Sequence, residues 1–198
     1  MISPFNVIFW IWDAWALSWV IAALWAAPAA RRVSLWDQGL YWAITALGIW
    51  LLLVVRVPAG AAPGHIWVMD EAPGWLLVAV TAAGLGFCWW ARLHLGQLWS
   101  GTVTRKAGHH VVDTGPYALV RHPIYSGLIL AGAATALLRG AVSGFAGAAL
   151  MALGFWIKAR IEERFLSSEL GDDAYEAYRR RTPMLIPGLG RQGADRPG

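Results

Sequence analysis

The chain has 198 residues, of which 58% are hydrophobic and only 14% are charged. Soluble globular domains carry about 25% charged residues, so this composition argues against a soluble domain and favours a polytopic membrane protein. The single cysteine, Cys88, excludes an internal disulfide framework and offers no cysteine-based zinc site. The net charge of +4 is compatible with nucleic-acid binding, but the placement of the charges along the chain explains it better.

Three long apolar runs in the first half of the chain predict transmembrane helices. They cover residues 5–27, 39–57 and 75–93. Each run has about 19–23 residues, which is enough to cross ~30 Å of hydrocarbon at 1.5 Å per residue. The first run lacks the basic segment and the cleavage site of a signal peptide, so we interpret it as a retained helix.

Two further apolar runs follow in the second half. The fourth run, 125–138, is short for an independent span, and the fifth, 141–157, begins almost directly after it. We therefore predict that the two form a helical hairpin. The fifth helix is expected to continue through the charged segment 158–170 and to end at Gly171. The predicted fold class is all-α, a polytopic membrane protein with five transmembrane helices.

The lysines and arginines are distributed unequally between the two sides of this predicted topology. Two lie between helices one and two, four lie between helices three and four, and eight follow helix five, which places 14 of the 16 on one side. Only Arg56 and Arg139 lie on the other side. The positive-inside rule then predicts an outer N-terminus and a cytoplasmic C-terminus. This distribution accounts for the basic pI without a nucleic-acid partner, and the composition is typical of a protein of the bacterial inner membrane.

We divide the chain into three regions, and the polar groups concentrate in the middle one, residues 95–188. Residues 1–94 contain helices one to three, and residues 189–198 form a short tail. Residues 95–188 contain a cytoplasmic loop, helices four and five and a C-terminal segment. A loop that served stability alone would not need the rigid aromatic and cationic residues found here, so we place the chemistry in this region.

The end of the loop reads TGPYALVRHPIYSG. Gly115 and Pro116 predict a turn, and Pro123 suits the first turn of helix four, where a missing N–H costs nothing. The free N–H groups of that turn, near Tyr125, would attract an anionic ligand group. The sequence therefore predicts a small-molecule site where this loop enters helix four.

Several neighbouring side chains suit the same ligand, although each also has a simpler interpretation. Arg121 and His122 could bind a carboxylate or phosphate, and an adenine-like ring could stack on Tyr117 or on residues 110–112. Alternatively, Arg121 could contact lipid headgroups, His122 could be structural, and Tyr125 could anchor the membrane interface. We find no third side chain at a spacing typical of a metal site, so no metal is expected.

On the predicted fifth helix, Lys158 and Glu162 are four residues apart and share a face. They could form a surface ion pair, or Glu162 could face the loop and receive an ammonium or sulfonium group. An amino-acid head attached to a nucleoside would satisfy both Glu162 and the cationic start of helix four.

These segments together resemble the isoprenylcysteine carboxyl methyltransferase family, and a similar Arg-His-Pro-x-Tyr-x-Gly pattern occurs in membrane phospholipid N-methyltransferases. The resemblance covers roughly residues 95–188. It rests on HHVVDTGPYALVRHPIYSG at 109–127, EE at 162–163, Gly171, Tyr175, Tyr178 and IPG at 186–188. It implies an integral membrane methyltransferase that uses S-adenosylmethionine (and releases S-adenosylhomocysteine) without the soluble Rossmann fold or its GxGxxG loop.

The resemblance also implies the site residues. Cofactor binding would involve His109, Val111, Val112, Tyr117, His122, Pro123, Tyr125 and Glu162, to which the loop analysis above adds Arg121. Catalysis would involve Lys158 and Glu162. In the family an arginine four residues before the glutamate approaches the substrate carboxylate. Here that position is Lys158, which keeps the charge but loses bidentate geometry, and Arg160 is an alternative contact. The expected partners are membrane lipids and a lipophilic acceptor, either a lipid or a small molecule, that offers a carboxylate, an amine or a thiol.

Two other functions stay open at this point. One is an NADPH-dependent membrane reductase of the sterol-reductase type, although those proteins tend to be longer. The other is a non-enzymatic membrane scaffold or sensor that keeps the same architecture.

Overall fold

The computed structural model of the protein describes residues 2–24, 31–32, 35–55, 64–96, 99, 104–105, 112–170 and 172–189. Within these residues the architecture is helical, with one very short pair of strands. In chain order the elements are α1 (Pro4–Ala23), β1 (Arg31–Arg32), α2 (Leu35–Ile49), a π-helix (Trp50–Val54), α3 (Glu71–Leu95), β2 (Thr104–Arg105), α4 (Pro116–Leu119), α5 (Pro123–Arg139), α6 (Val142–Leu170) and α7 (Asp172–Arg181).

Three of these helices are long and apolar enough to cross a membrane, which supports an integral membrane protein. They comprise Pro4–Ala23, Glu71–Leu95 and Val142–Ser167. Two shorter apolar helices, Gln38–Val54 and Pro123–Arg139, correspond to the second and fourth predicted runs. The five-span arrangement, the membrane hairpin, the orientation and the division into three regions stay predictions.

The strand pair is an exception to the predicted all-α class. Arg31 pairs with Arg105 and Arg32 pairs with Thr104, in antiparallel register. The pair joins the connection after α1 to the connection after α3. Two-residue strands carry no periodic pattern, so the sequence contained no signal for them. The predicted helix end at Gly171 lies outside the described residues.

Small residues allow close packing of the helix pairs α3–α5 and α2–α6, which have the most extensive contacts in the fold. A Cβ atom on Gly84 of α3 would lie 2.7 Å from the carbonyl oxygen of Gly127 in α5. Across the other pair, a Cβ atom on Gly48 of α2 would lie 2.8 Å from the carbonyl oxygen of Gly147 in α6. Such contacts let backbones approach closely, which is how helices in membranes gain packing energy.

Gly84→Val is therefore expected to destabilise the fold, whereas Gly86→Val on the same helix should not. A Cβ atom on Gly86 meets nothing within 4 Å. Forced overpacking costs about 1–3 kcal/mol, and the intrinsic helix cost of valine is the same at both positions. Thermal unfolding in detergent, followed by tryptophan fluorescence, measures the difference. Equal melting temperatures for the two variants would show that the α3–α5 contact is not tight.

Two buried arginines tie the ends of the helices together. At one end, the Arg139 guanidinium donates to carbonyl oxygens around the end of the π-helix, including that of Leu51 at 2.8 Å. At the other end, Arg92 donates to the carbonyl oxygens of Ala22 at 2.8 Å and Gly96 at 2.6 Å. Each arginine supplies donors to carbonyl groups that a helix terminus leaves without partners.

Candidate functional site

The candidate site lies where α4 and the start of α5 meet α6, at the predicted cytoplasmic end. The turn before α4 requires a glycine, because Gly115 has φ +57 and the ring of His94 packs where a Cβ atom would be. The hydroxyl of Thr114 in this turn lies 2.9 Å from Nε2 of His94. The chain then becomes extended at Val120 and enters α5 at Pro123. The predicted turn and the proline at the start of the helix are therefore both present.

A C-terminal segment, 182–185, covers this entry point. The N–H of Arg121 donates to the carbonyl oxygen of Pro183 at 2.9 Å, and that of His122 donates to Met184 at 3.1 Å. The hydroxyl of Ser126 donates to the carbonyl oxygen of Leu185 at 2.6 Å. These bonds satisfy backbone groups just before α5, which would otherwise be buried without partners.

Glu163 is the centre of a buried ionic network. Its Oε1 accepts from Nε of Arg121 at 2.6 Å and lies 3.3 Å from Nε2 of His122. Its Oε2 lies 3.7 Å from Nε of Arg179. Nη1 of Arg121 donates to the carbonyl oxygens of Arg179 and Thr182. Arg121, predicted to bind cofactor, thus uses its guanidinium within the protein to join α6 to the C-terminal segment.

Glu162, the neighbouring carboxylate, is held on a different side and is more open. Its Oε1 accepts from the hydroxyl of Tyr125 at 2.7 Å, and its Oε2 lies 3.5 Å from Nδ1 of His122. The Glu162 side chain is 18% exposed, against 5% for Glu163. Glu162 therefore keeps access to a ligand, whereas Glu163 is committed to the protein.

His122 links the two carboxylates, since one ring nitrogen faces each of them. Burial by itself lowers the pKa of His122, but the hydrogen bonds and charges of Glu162 and Glu163 outweigh burial and raise it above its ordinary value. The ring stacks on Tyr125 with centroids 5.3 Å apart. His122 therefore lies between the two carboxylates and helps to position Glu162.

Lys158 lies one turn before Glu162 in an aromatic enclosure. Its Nζ is 5.2 Å from the ring centroid of Tyr125, 5.6 Å from that of Tyr41 and 5.9 Å from that of Trp42. Rings at these distances stabilise an ammonium group through cation–π attraction. Sequence reasoning missed Tyr41 and did not connect Trp42 to the site, because both lie on α2, where aromatic residues are typical of a membrane interface.

Tyr117 is buried beside this cluster on α4. Its carbonyl oxygen accepts from the hydroxyl of Tyr178 at 2.7 Å, and its ring stacks near His94 with centroids 6.3 Å apart. Burial raises the pKa of Tyr117, so the phenol stays neutral. Val112 packs against the core next to it. Two predicted cofactor residues, His109 and Val111, lie outside the described residues.

Comparison with known proteins shows which family this part of the chain resembles. The sequence model of the isoprenylcysteine carboxyl methyltransferase (ICMT) family matches residues 75–168, from α3 into α6. The chain resembles the ICMT family over this segment. This finding confirms the resemblance that the loop and the paired glutamates indicated. The matched segment includes the loop before α5 and both glutamates, but it ends before the C-terminal segment 182–185.

Curated relatives are found in bacteria and in yeast. The cobalt-zinc-cadmium resistance protein CzcN of Cupriavidus metallidurans is 30% identical over 157 residues, covering 72% of this chain and 64% of the relative. The nickel-cobalt-cadmium resistance protein NccN of Alcaligenes xylosoxydans is 29% identical over 152 residues, covering 72% and 65%. The protein-S-isoprenylcysteine O-methyltransferase of Schizosaccharomyces pombe is 38% identical over 103 residues, covering 49% and 42%. The chain spans less than two thirds of each of these relatives.

The candidate site thus consists of residues on or next to four helices, α2, α4, α5 and α6. The structure brings His122, Tyr125, Lys158 and Glu162 together and places Tyr117 on the adjacent helix. Their roles toward a ligand stay predictions. Among the described residues, no group of three or more His, Cys, Asp or Glu is placed to hold a metal ion.

Proposed function

We propose that the protein transfers a methyl group from S-adenosylmethionine to a lipophilic acceptor at the membrane surface. The match of residues 75–168 to the ICMT family supports this function, as does the name of the S. pombe relative. The observation that carries the proposal is Glu162, an acidic group held by Tyr125 and His122 and still reachable from outside.

The residues of the site fit S-adenosylmethionine. The carboxylate of Glu162 suits the positively charged amino-acid head, and the unpaired N–H groups in the first turn of α5 suit its carboxylate. When bound, S-adenosylmethionine supplies a methyl group on a positively charged sulfur atom. The stacked rings of Tyr125 and Phe155, with centroids 5.1 Å apart, exclude water beside Glu162.

Lys158 is the residue that we assign to the acceptor. Its buried ammonium favours an anionic acceptor, such as a carboxylate or a thiolate, which can attack without losing a proton to a base. An amine acceptor would have to lose a proton, for which Glu162 is the nearest carboxylate on the same helix face. A carboxylate carried on a lipophilic chain is the acceptor class that Lys158 favours.

Calorimetry of the detergent-purified chain with S-adenosylhomocysteine tests the cofactor. We expect saturable binding that Glu162→Gln and His122→Ala each weaken by about 10- to 100-fold, since each removes a charged or hydrogen-bonded contact worth about 1–3 kcal/mol. Glu176→Gln, on the half-exposed Glu176 side chain of α7, is the matched control and should bind as the wild type does.

Each result has a distinct meaning. No binding by a folded wild-type chain would reject the cofactor, and stabilisation by NADPH in its place would favour the reductase. If both site variants bound S-adenosylhomocysteine as tightly as the wild type does, the cofactor assignment would stand, but Glu162 and His122 would not belong to its site.

A further inference from the structure

An open cleft lies between α6 and α7, next to the Glu163 network. It has a volume of about 280 Å³ and is lined by Arg160, Glu163, Arg164, Ser167, Glu176 and Arg179. Three of these side chains are arginines and two are glutamates, so the lining has a net positive charge. The proposed methyltransferase function uses none of the three arginines, and the cleft requires an explanation of its own.

Both carboxylates in the lining already have partners. Glu163 accepts from Arg121 at 2.6 Å and lies 3.3 Å from a nitrogen of His122. Glu176 accepts from Nη1 of Arg179, one turn along α7. Neither carboxylate neutralises the outer part of the cleft, which leaves positive charge available to a ligand.

Several hydrogen-bond donors in the cleft, in contrast to its carboxylates, lack a partner within the described residues. Among the residues whose side chains the structure describes, no carboxylate lies within 4 Å of Arg160 or Arg164, and both arginine side chains are exposed. Nε of Arg164 donates to the carbonyl oxygen of Arg160 at 3.3 Å, and the other guanidinium nitrogens of Arg164 point to no such acceptor in that set. Deeper in the cleft, Nε of Arg179 and Oγ of Ser167 are buried without a hydrogen-bond partner in the described part of the chain. Arg179 Nε does lie 3.7 Å from an oxygen of Glu163, which is too far for a hydrogen bond. An oxyanion in the cleft would satisfy several donors at once.

The position of the cleft along α6 relates it to the membrane surface. At about 100° per residue, Leu153, Trp156, Arg160, Arg164 and Ser167 fall within roughly 80° of arc on one face. Leu153 is 44% exposed and Trp156 is 47% exposed, so this face is not covered by protein. The Arg160 guanidinium lies 5.7 Å from the ring centroid of Trp156. Along this face the side chains change from aliphatic to aromatic to cationic. Lipid-facing helices show the same change where they pass from the hydrocarbon into the headgroup region.

The axial distances agree with that order. At 1.5 Å per residue, Arg160 and Arg164 lie ~6 Å and ~12 Å beyond Trp156 along the helix. Tryptophan concentrates at the boundary between hydrocarbon and headgroups; a boundary at Trp156 would place the two arginines at the depth of lipid phosphates.

We propose that this cleft binds the phosphate group of an anionic phospholipid, with Arg160, Arg164 and Arg179 as its donors. Arginine suits phosphate because its planar fork makes two parallel charge-assisted hydrogen bonds. A free phosphate ion offers similar oxygens, but its binding would not account for the exposed Leu153 and Trp156 on the same face of α6 as the cleft. The site is separate from the proposed cofactor site and does not depend on the methyltransferase function.

Lipid titration of the full chain, purified in dodecyl maltoside and stripped of lipid, tests this site. Dioctanoyl phosphatidylglycerol should bind saturably, at least ~10-fold more tightly than dioctanoyl phosphatidylcholine, because the zwitterionic headgroup carries its own cation. Arg164→Gln should weaken phosphatidylglycerol binding by ~10-fold, and Arg160→Gln/Arg164→Gln should weaken it further, since each loses a charge-assisted contact. Arg180→Gln is the matched control, because it removes one exposed charge from α7 outside the cleft.

The possible outcomes separate the alternatives. Unchanged binding in Arg164→Gln, or an equal loss in Arg180→Gln, would overturn the proposal in favour of general surface attraction. Inorganic phosphate that binds as tightly as phosphatidylglycerol would assign the cleft to a free anion and overturn the lipid. Because Arg160 and Arg164 are exposed, tryptophan fluorescence should show that all these variants fold like the wild type.

Discussion

Glu163→Ala should lower the free energy of unfolding by about 3–5 kcal/mol, the usual effect of removing one partner from a buried ion pair. The variant leaves the guanidinium of Arg121 and the ring of His122 without their shared carboxylate oxygen. Arg121 also holds the C-terminal segment through the carbonyl oxygen of Thr182, so part of that segment should detach as well. Thermal unfolding in detergent, followed by tryptophan fluorescence, measures the loss.

Glu176→Ala provides the comparison for this result. Glu176 pairs with Arg179, but the two side chains are 35% and 37% exposed, so the pair should contribute less than about 1 kcal/mol. A Glu163→Ala protein that melts at the same temperature as Glu176→Ala would contradict the central position that we give to Glu163.

Lys158→Met should lower turnover by about 100-fold or more while changing affinity for S-adenosylhomocysteine by less than about threefold. Loss of one preorganised group that stabilises charge in a dry site commonly has an effect of this size. Methionine keeps the unbranched apolar stem among the rings of Tyr41, Trp42 and Tyr125, so the packing should survive. Transfer of labelled methyl from S-adenosylmethionine to N-acetyl-S-farnesylcysteine and to extracted bacterial lipids measures turnover.

Lys158→Arg is the informative companion variant. It restores the charge and adds a bidentate donor, so it should recover activity toward a carboxylate acceptor. Equal losses of turnover and cofactor affinity in Lys158→Met would place Lys158 at the cofactor instead of the acceptor.

The helices were predictable from the sequence because length and hydropathy determine them locally. The runs before Ala23 and Leu95, and the long helix from Val142, have lengths and apolar content that a membrane span requires. The strand pair and the π-helix were not predictable. Both depend on partners distant in the chain, such as Arg105 for Arg31 and Arg139 for the end of the π-helix.

Part of the site could be predicted, because its motifs are also local patterns in the sequence. The spacing of the loop motif and of the paired glutamates indicated which segments meet. The different roles of Glu162 and Glu163 could not be predicted, because adjacent helical residues point in directions about 100° apart. Only the tertiary contacts show that Glu163 meets Arg121 whereas Glu162 meets Tyr125. The contribution of α2 was missed because Tyr41 and Trp42 are separated from Lys158 by more than a hundred residues.

The hydrogen bonds from Arg121, His122 and Ser126 to residues 182–185 have a consequence for how the protein is made. Synthesis proceeds from the N-terminus, so residues 182–185 leave the ribosome after all of the apolar helices described above. The entry of α5 can therefore be covered only after the last of those helices has emerged.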